Sequence, residues 1–167
     1  MAKSKTLDDL FHDTLRDVYF AEKKILKALP KMKRAASSSK LAEAFDRHRD
    51  QTEGQIERLE KVFEIIGKKA RGKTCEAIEG LLDEGEEIIG EFENSPALDA
   101  GLISAAQAVE HYEIARYGTL KRWAQTLGMS DAVKLLDETL QEEADTDSSL
   151  TDLAESTVNK SALKKAA

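Results

Sequence analysis

Four stretches of about 25 residues, in each of which apolar side chains return every three or four positions, constrain this chain more than any other feature. The first opens at Thr6-Leu7-Asp8-Asp9, which has the spacing of a capping box. It runs through Leu7, Phe11, Val18, Ile25 and Leu29 to about Ala35, with Pro30 expected to kink it or end it early. The serines at 37 to 39 offer a loop and an N-cap for the second, which carries Leu41, Phe45, Leu59, Val62 and Ile66 before Gly67. Ser95-Pro96 is read as the start of the third, with proline at its first helical position. It carries Leu102, Ala106, Val109, Tyr117 and Leu120 to a stop at Gly128. Ser130 is read as the cap of the fourth, with Leu136, Leu140 and Leu150 on one face. Between the second and third lies a shorter segment, about 74–93, with Thr74 as its expected cap and three glycines, Gly80, Gly85 and Gly90, that weaken it.

Four rods of about 37 Å (1.5 Å per residue) form a matched set, and a matched set packs as a bundle. The short links force two antiparallel hairpins, and the roughly 30 residues between them make a long crossover, which is the ferritin-like arrangement. The expectation is an all-α, ferritin-like four-helix bundle with one short extra helix. It forms a single domain over residues 1–167, with a core of about 6–158 and a frayed tail over 159–167 containing Lys160, Lys164 and Lys165.

Composition narrows the partners. The chain has 25 Lys+Arg against 32 Asp+Glu, a net charge of −7, and no long basic block, so nucleic acid is not an expected partner. The cluster Lys68, Lys69, Arg71 and Lys73 reads as a solvated loop. No apolar run approaches the ~18 residues of a membrane span and the first residues are polar, so no membrane partner is expected and the protein is read as cytoplasmic. The single cysteine, Cys75, has no partner for an internal disulfide and reads as a small buried hydrophobe.

The anomaly is where certain acids fall. Glu22 stands four after Val18 and three before Ile25, in the middle of an apolar stripe. The third long helix brings Glu110 and Glu113, the fourth brings Glu143 and Asp147, and the second brings His48, Gln51, Thr52 and Gln55 at matching height. The halves resemble one another weakly, with Glu22 29 residues before Gln51 and Glu113 30 before Glu143. Buried carboxylates must be neutralised by protons or cations. Two divalent ions bring +4 against the −5 of Glu22, Glu110, Glu113, Glu143 and Asp147, and oxygen-rich sites between bundle helices suit iron or manganese. The second helix adds His48 and Gln51 to the candidate ligands, with a carboxylate-bonded core histidine as the plainer role for His48. Tyr19, Gln55 and Tyr112 are candidates to orient the acids by hydrogen bonds. His111 is expected at the periphery, and Trp123 as a core or dimer anchor.

Four segments, Asp17-Val18-Tyr19-Phe20-Ala21-Glu22-Lys23, Gly54-Gln55-Ile56-Glu57-Arg58, the run from Val109 to Leu120, and Leu150-Thr151-Asp152-Leu153-Ala154, resemble the YciF/YciE-type stress-response proteins of bacteria. The resemblance covers Leu7 to about Lys160. It implies a ferritin-like fold, a homodimer and a dinuclear metal site with Glu22, Glu110, Glu113, Glu143 and Asp147 as ligands. Similar proteins tend to carry Glu where this chain has Gln51, and an amide is the weaker ligand. None of His12, His48 and His111 has a Glu three residues before it, so the repeated Glu-x-x-His pair of di-iron bundles is absent. Two functions therefore stand side by side: a stress-linked protein whose metal pair acts on peroxide, oxygen or the metal itself, and a metal-free structural or interaction bundle.

Overall fold

The computed structural model describes residues 4–163, and every regular element among them is helical. The long rods are α1 (Leu7–Ala35), α2 (Ser39–Ile65), α4 (Leu98–Thr126) and α5 (Ser130–Leu153), with α3 (Glu76–Glu91) in the crossover. A single π turn, Ala154–Val158, continues α5 into the four-residue α6 (Asn159–Ala162). The expected frayed tail is therefore helical as far as Ala162, because Val158 is buried against the core; Lys164 and Lys165 lie outside the described residues.

The turn chemistry explains most of the boundaries. Thr6 caps α1 through a complete capping box with Asp9, and the Ser38 side chain accepts from Leu41 N at the start of α2. Gly67 and Gly128 adopt φ of +65° and +74°, the left-handed conformation that ends a helix at little steric cost. Pro30 does not end α1 early: the helix runs through it to Ala35, where Lys33 and Arg34 complement the C-terminal dipole.

Three caps fall elsewhere than the sequence predicts. Cys75 rather than Thr74 precedes α3. Met129 precedes α5, so Ser130 is its first helical residue, and neither start has a side-chain cap. Ser95-Pro96 forms a preceding turn in which Ser95 Oγ accepts from Ala97 N, so α4 begins two residues later, at Leu98.

α1 packs on α2 and α4, and α5 packs on α2 and α4, so the four rods close a square with every neighbouring pair antiparallel, while α3 lies across α1 and α4. The link from α1 to α2 meets the start of α4 directly: the Asp99 carboxylate accepts from Ser37 N at 2.8 Å and Ser38 N at 2.7 Å. This ferritin-like bundle has two apolar cores. One, at the Asp99 end, contains Ile25, Leu41, Phe45, Leu102, Val109 and Leu150. The other, at the far end, contains Phe11, Leu15, Phe63, Tyr117, Leu120 and Leu136. The loop carrying Lys68, Lys69 and Arg71 is exposed as expected, and Lys73 within it reaches Asp13 at 2.7 Å.

Candidate metal centre

Where the two cores meet, the interior turns polar. His48 of α2, Glu110 and Glu113 of α4 and Glu143 of α5 each bring one ligand-type atom to within 4.8 Å of the others, and all four residues are buried. Glu110 and Glu113 share a face because they are one turn apart. Glu22 of α1 is wholly buried beside them. Its Oε1 accepts from Tyr117 OH, and the Glu143 charge acts on it.

The electrostatics are those of an uncompensated acid cluster. Burial first, and the Glu143 charge second, push the Glu22 carboxyl up to about 8, against the pull of the Tyr117 hydroxyl and Glu113. Burial also raises Glu110 and Glu113 well above the usual carboxylate range, with the neighbouring acids adding to it. Glu22 Oε2, Glu110 Oε2, Glu143 Oε2, both oxygens of Glu113 and both ring nitrogens of His48 have no hydrogen-bond partner. His48 Nε2 lies 3.1 Å from Glu110 Oε1 in an ion-pair contact, not aligned as a hydrogen bond. Among the described residues no Lys or Arg pairs with these four glutamates. The half-buried Arg58 contacts Glu142 at 2.5 Å and Glu138 at 3.7 Å instead.

These donors fit a divalent metal. Carboxylate oxygens and one imidazole are the ligand set that iron, manganese and zinc accept, and unpartnered buried oxygens are what coordination would satisfy. The outer contacts are present too. Gln55 Nε2 donates to Glu143 Oε1 and, at 3.1 Å, to Glu142 Oε2, as the sequence suggested for an orienting group.

Several expected site residues lie elsewhere. Asp147 is one turn beyond Glu143, but it is not among the residues whose ligand atoms converge. Its carboxylate accepts from Gln107 Nε2 at 3.0 Å and meets the exposed His111 Nε2 at 3.1 Å, which also leaves His111 at the periphery. Its departure leaves four inward glutamates, −4, which two divalent ions balance in full. Gln51 sits at the edge, 3.4 Å from Thr146 Oγ1. The wholly buried position on α2 is its neighbour Thr52, which stands 30 residues after Glu22, as Glu143 stands 30 after Glu113. Thr52 Oγ1 donates to His48 O at 2.8 Å, so α2 presents His48 where the other half presents a carboxylate.

Neither tyrosine orients an acid of the cluster. Tyr19 OH donates to Glu60 at 2.8 Å, and Tyr112 OH pairs with Cys75 Sγ at 3.1 Å. The hydroxyl that does so belongs to Tyr117, which sequence reasoning placed only in the apolar stripe. Its position four after Glu113 was the available signal.

Residues 6–163 match the model of a family described as a domain of unknown function, DUF892. Protein YciF of Escherichia coli K12 is 50% identical over 163 residues, covering 97% of this chain and 98% of that protein. The chain belongs to the YciF family. The crystal structure of the E. coli stress protein YciF superposes with a TM-score of 0.89, covering 94% of this chain and 99% of that one. YcfI of Rhodopseudomonas palustris gives 0.87 at 45% identity, covering 90% and 97%. A Xanthomonas campestris protein at 20% identity and TM-score 0.71, covering 92% and 94%, shares the fold. YciF-type membership thus accounts for the bundle, and no helix among the described residues is long and apolar enough to cross a membrane.

Proposed function

We propose that this YciF-family chain is a stress-linked metal protein whose bundle core holds two divalent ions, iron or manganese, between Glu22, Glu110, Glu113, Glu143 and His48. The observation that carries the reading is the gathering of one imidazole and three carboxylates within 4.8 Å, with most of their buried polar atoms unpartnered. A bound redox-active pair supplies one-electron steps toward peroxide or dioxygen. The chain's own residues hold and orient: Gln55 fixes Glu143, Tyr117 fixes Glu22, and the far apolar core closes the cluster from water at that end.

Elemental analysis of protein purified without chelator tests this, with two equivalents of iron plus manganese expected. Less than one equivalent of any transition metal removes the reading. Anomalous scattering at the iron and manganese edges then identifies and locates the ions. The homodimer implied by the resemblance is a separate proposal, read by light scattering in solution.

A metal-free structural bundle is the second reading, and the upward displacement of the Glu22, Glu110 and Glu113 carboxyls favours it. Protons rather than ions would then neutralise the core. If the protein purified without chelator holds less than one equivalent of metal and Glu113→Gln raises its stability at neutral pH, this second reading stands.

A further inference from the structure

The core at the Asp99 end is not closed. A cavity of about 120 Å³ runs among α1 to α5. Most of its wall is apolar, formed by Ile25, Leu29, Phe45, Val109 and Leu150, with Ala28, Ala44 and Ala106 leaving the space that larger side chains would fill, while Thr146 and Ser149 of α5 add two hydroxyls. A second apolar cavity of about 20 Å³ shares Ala28, Met32, Leu82 and Val109 with it. The lining changes character in two places. The exposed Arg47 and Asp145 stand with Gln51 where the cavity approaches the surface, and His48 and Glu110 line it at the edge of the acid cluster.

We propose that this cavity is a binding site for a small, neutral, apolar molecule bearing a single hydroxyl, of the size of phenol. Size and polarity both point there. An apolar cavity of roughly 150 Å³ in another protein takes up benzene, so the space here suits a body of about six carbons. The polar edge asks for one group that both donates and accepts. His48 is 4% exposed and neither ring nitrogen has a hydrogen-bond partner; Nε2 is the one beside Glu110, 3.1 Å from its Oε1, so Nδ1 is the one a further ligand would use. Glu110, 1% exposed, leaves Oε2 equally unpartnered. A metal-bound imidazole carries its proton on the other nitrogen and places it on an acceptor. A ligand hydroxyl oxygen supplies that acceptor, and its proton goes to the carboxylate. A carboxylate ligand is disfavoured, because it would add an anion beside four glutamates.

The assignment of the hydroxyl to His48 Nδ1 rests on the metal reading, whereas the apolar body rests on the cavity alone. The two are separated by titrating phenol, and benzoate as its anionic counterpart, into the full chain by calorimetry in both chelator-treated and metal-loaded forms, with metal content measured independently. Phenol is expected to bind both forms with a stoichiometry of one, and benzoate at least tenfold more weakly. Ala44→Leu and Ala28→Leu, each filling the cavity from a different helix, are expected to weaken phenol at least tenfold while the helical circular dichroism is unchanged. Should one of these variants fail to fold, the other decides. Equal binding of benzoate and phenol, or wild-type phenol affinity in a folded cavity-filled variant, overturns the proposal. Phenol binding to a chain that takes up no metal keeps the cavity site and sinks the metal reading, whereas metal uptake without phenol binding does the reverse.

Discussion

The two ends of the bundle are built from the same four helices, yet they pack differently. The far core is filled by Phe11, Phe63, Tyr19 and Tyr117, whose rings pack on one another: Tyr19 meets Phe63 edge to face at 5.4 Å. The core at the Asp99 end has a single buried ring, Phe45, and gives its central positions to aliphatics and alanines, so both apolar cavities lie there. Dense packing at one end fixes the relative heights of the helices, and that registry sets the acids of the cluster opposite one another. The looser end is then free to keep space next to them.

The largest expected effect breaks this contrast at its dense end. Phe63→Ala, removing a wholly buried ring, should cost about 3–5 kcal/mol by urea unfolding. Ala44→Leu at the open end should stay within about 1 kcal/mol, because the added carbons enter existing space. If both variants cost the same, the two ends do not differ in packing.

Next comes the junction between the ends. In chelator-treated protein Glu22 holds its proton up to about 8 when folded but only to about 4.5 when unfolded. The folded state therefore binds the extra proton between these values. Stability should be greatest below pH 4.5 as far as this group is concerned, and should fall as pH rises toward 8, at a limiting slope of about 1.4 kcal/mol per pH unit. Glu22→Gln should flatten that fall. Added metal should flatten it too, by about 2.7 kcal/mol of stabilisation at a hundredfold excess over its dissociation constant. A midpoint in urea that rises between pH 5 and pH 8 without metal would contradict the burial of this acid.

Two smaller effects sharpen the open end. Asp99→Ala removes the acceptor for Ser37 N and Ser38 N and should cost about 1–2 kcal/mol, with faster hydrogen exchange confined to the link between α1 and α2. Lys33→Ala breaks only the exposed contact to Asp46, 2.9 Å long, and should change stability by less than about 1 kcal/mol.

Much of this was legible in the residues. The spacing of Leu7, Phe11 and Val18, the capping box at Thr6 and the glycines at 67 and 128 bound α1, α2 and the stop of α4 closely, since local chemistry decides them. Glu22, Glu110, Glu113 and Glu143 were found because a charge in an apolar stripe contradicts its neighbours, a conflict visible without coordinates. What was not legible depends on tertiary rotation. Thr52, seven after Phe45, lies on the α2 stripe by spacing and is buried, whereas Gln51, about 100° away, was drawn in as a ligand by its residue type, and the packing of α5 leaves it at the edge. Asp147 follows Glu143 by four as Glu113 follows Glu110 by three, each one turn on, and only the structure shows Asp147 held by Gln107 and His111 instead. Tyr117 was hidden because a tyrosine at a core position looks like packing until the acid at its hydroxyl is seen.

The π turn after α5 has its own consequence. Leu150 and Val158, eight residues apart, both reach the interior, although in an unbroken α-helix the position sharing Leu150's side is seven on, and Thr157 there is exposed. The widened turn absorbs one surplus residue before the chain re-enters α-helical phase. A version of this protein shortened by a residue between 154 and 157 would bring its valine to the same hydrophobic seat by plain α-geometry, so this is where the sequence can gain or lose a residue without unseating its terminus.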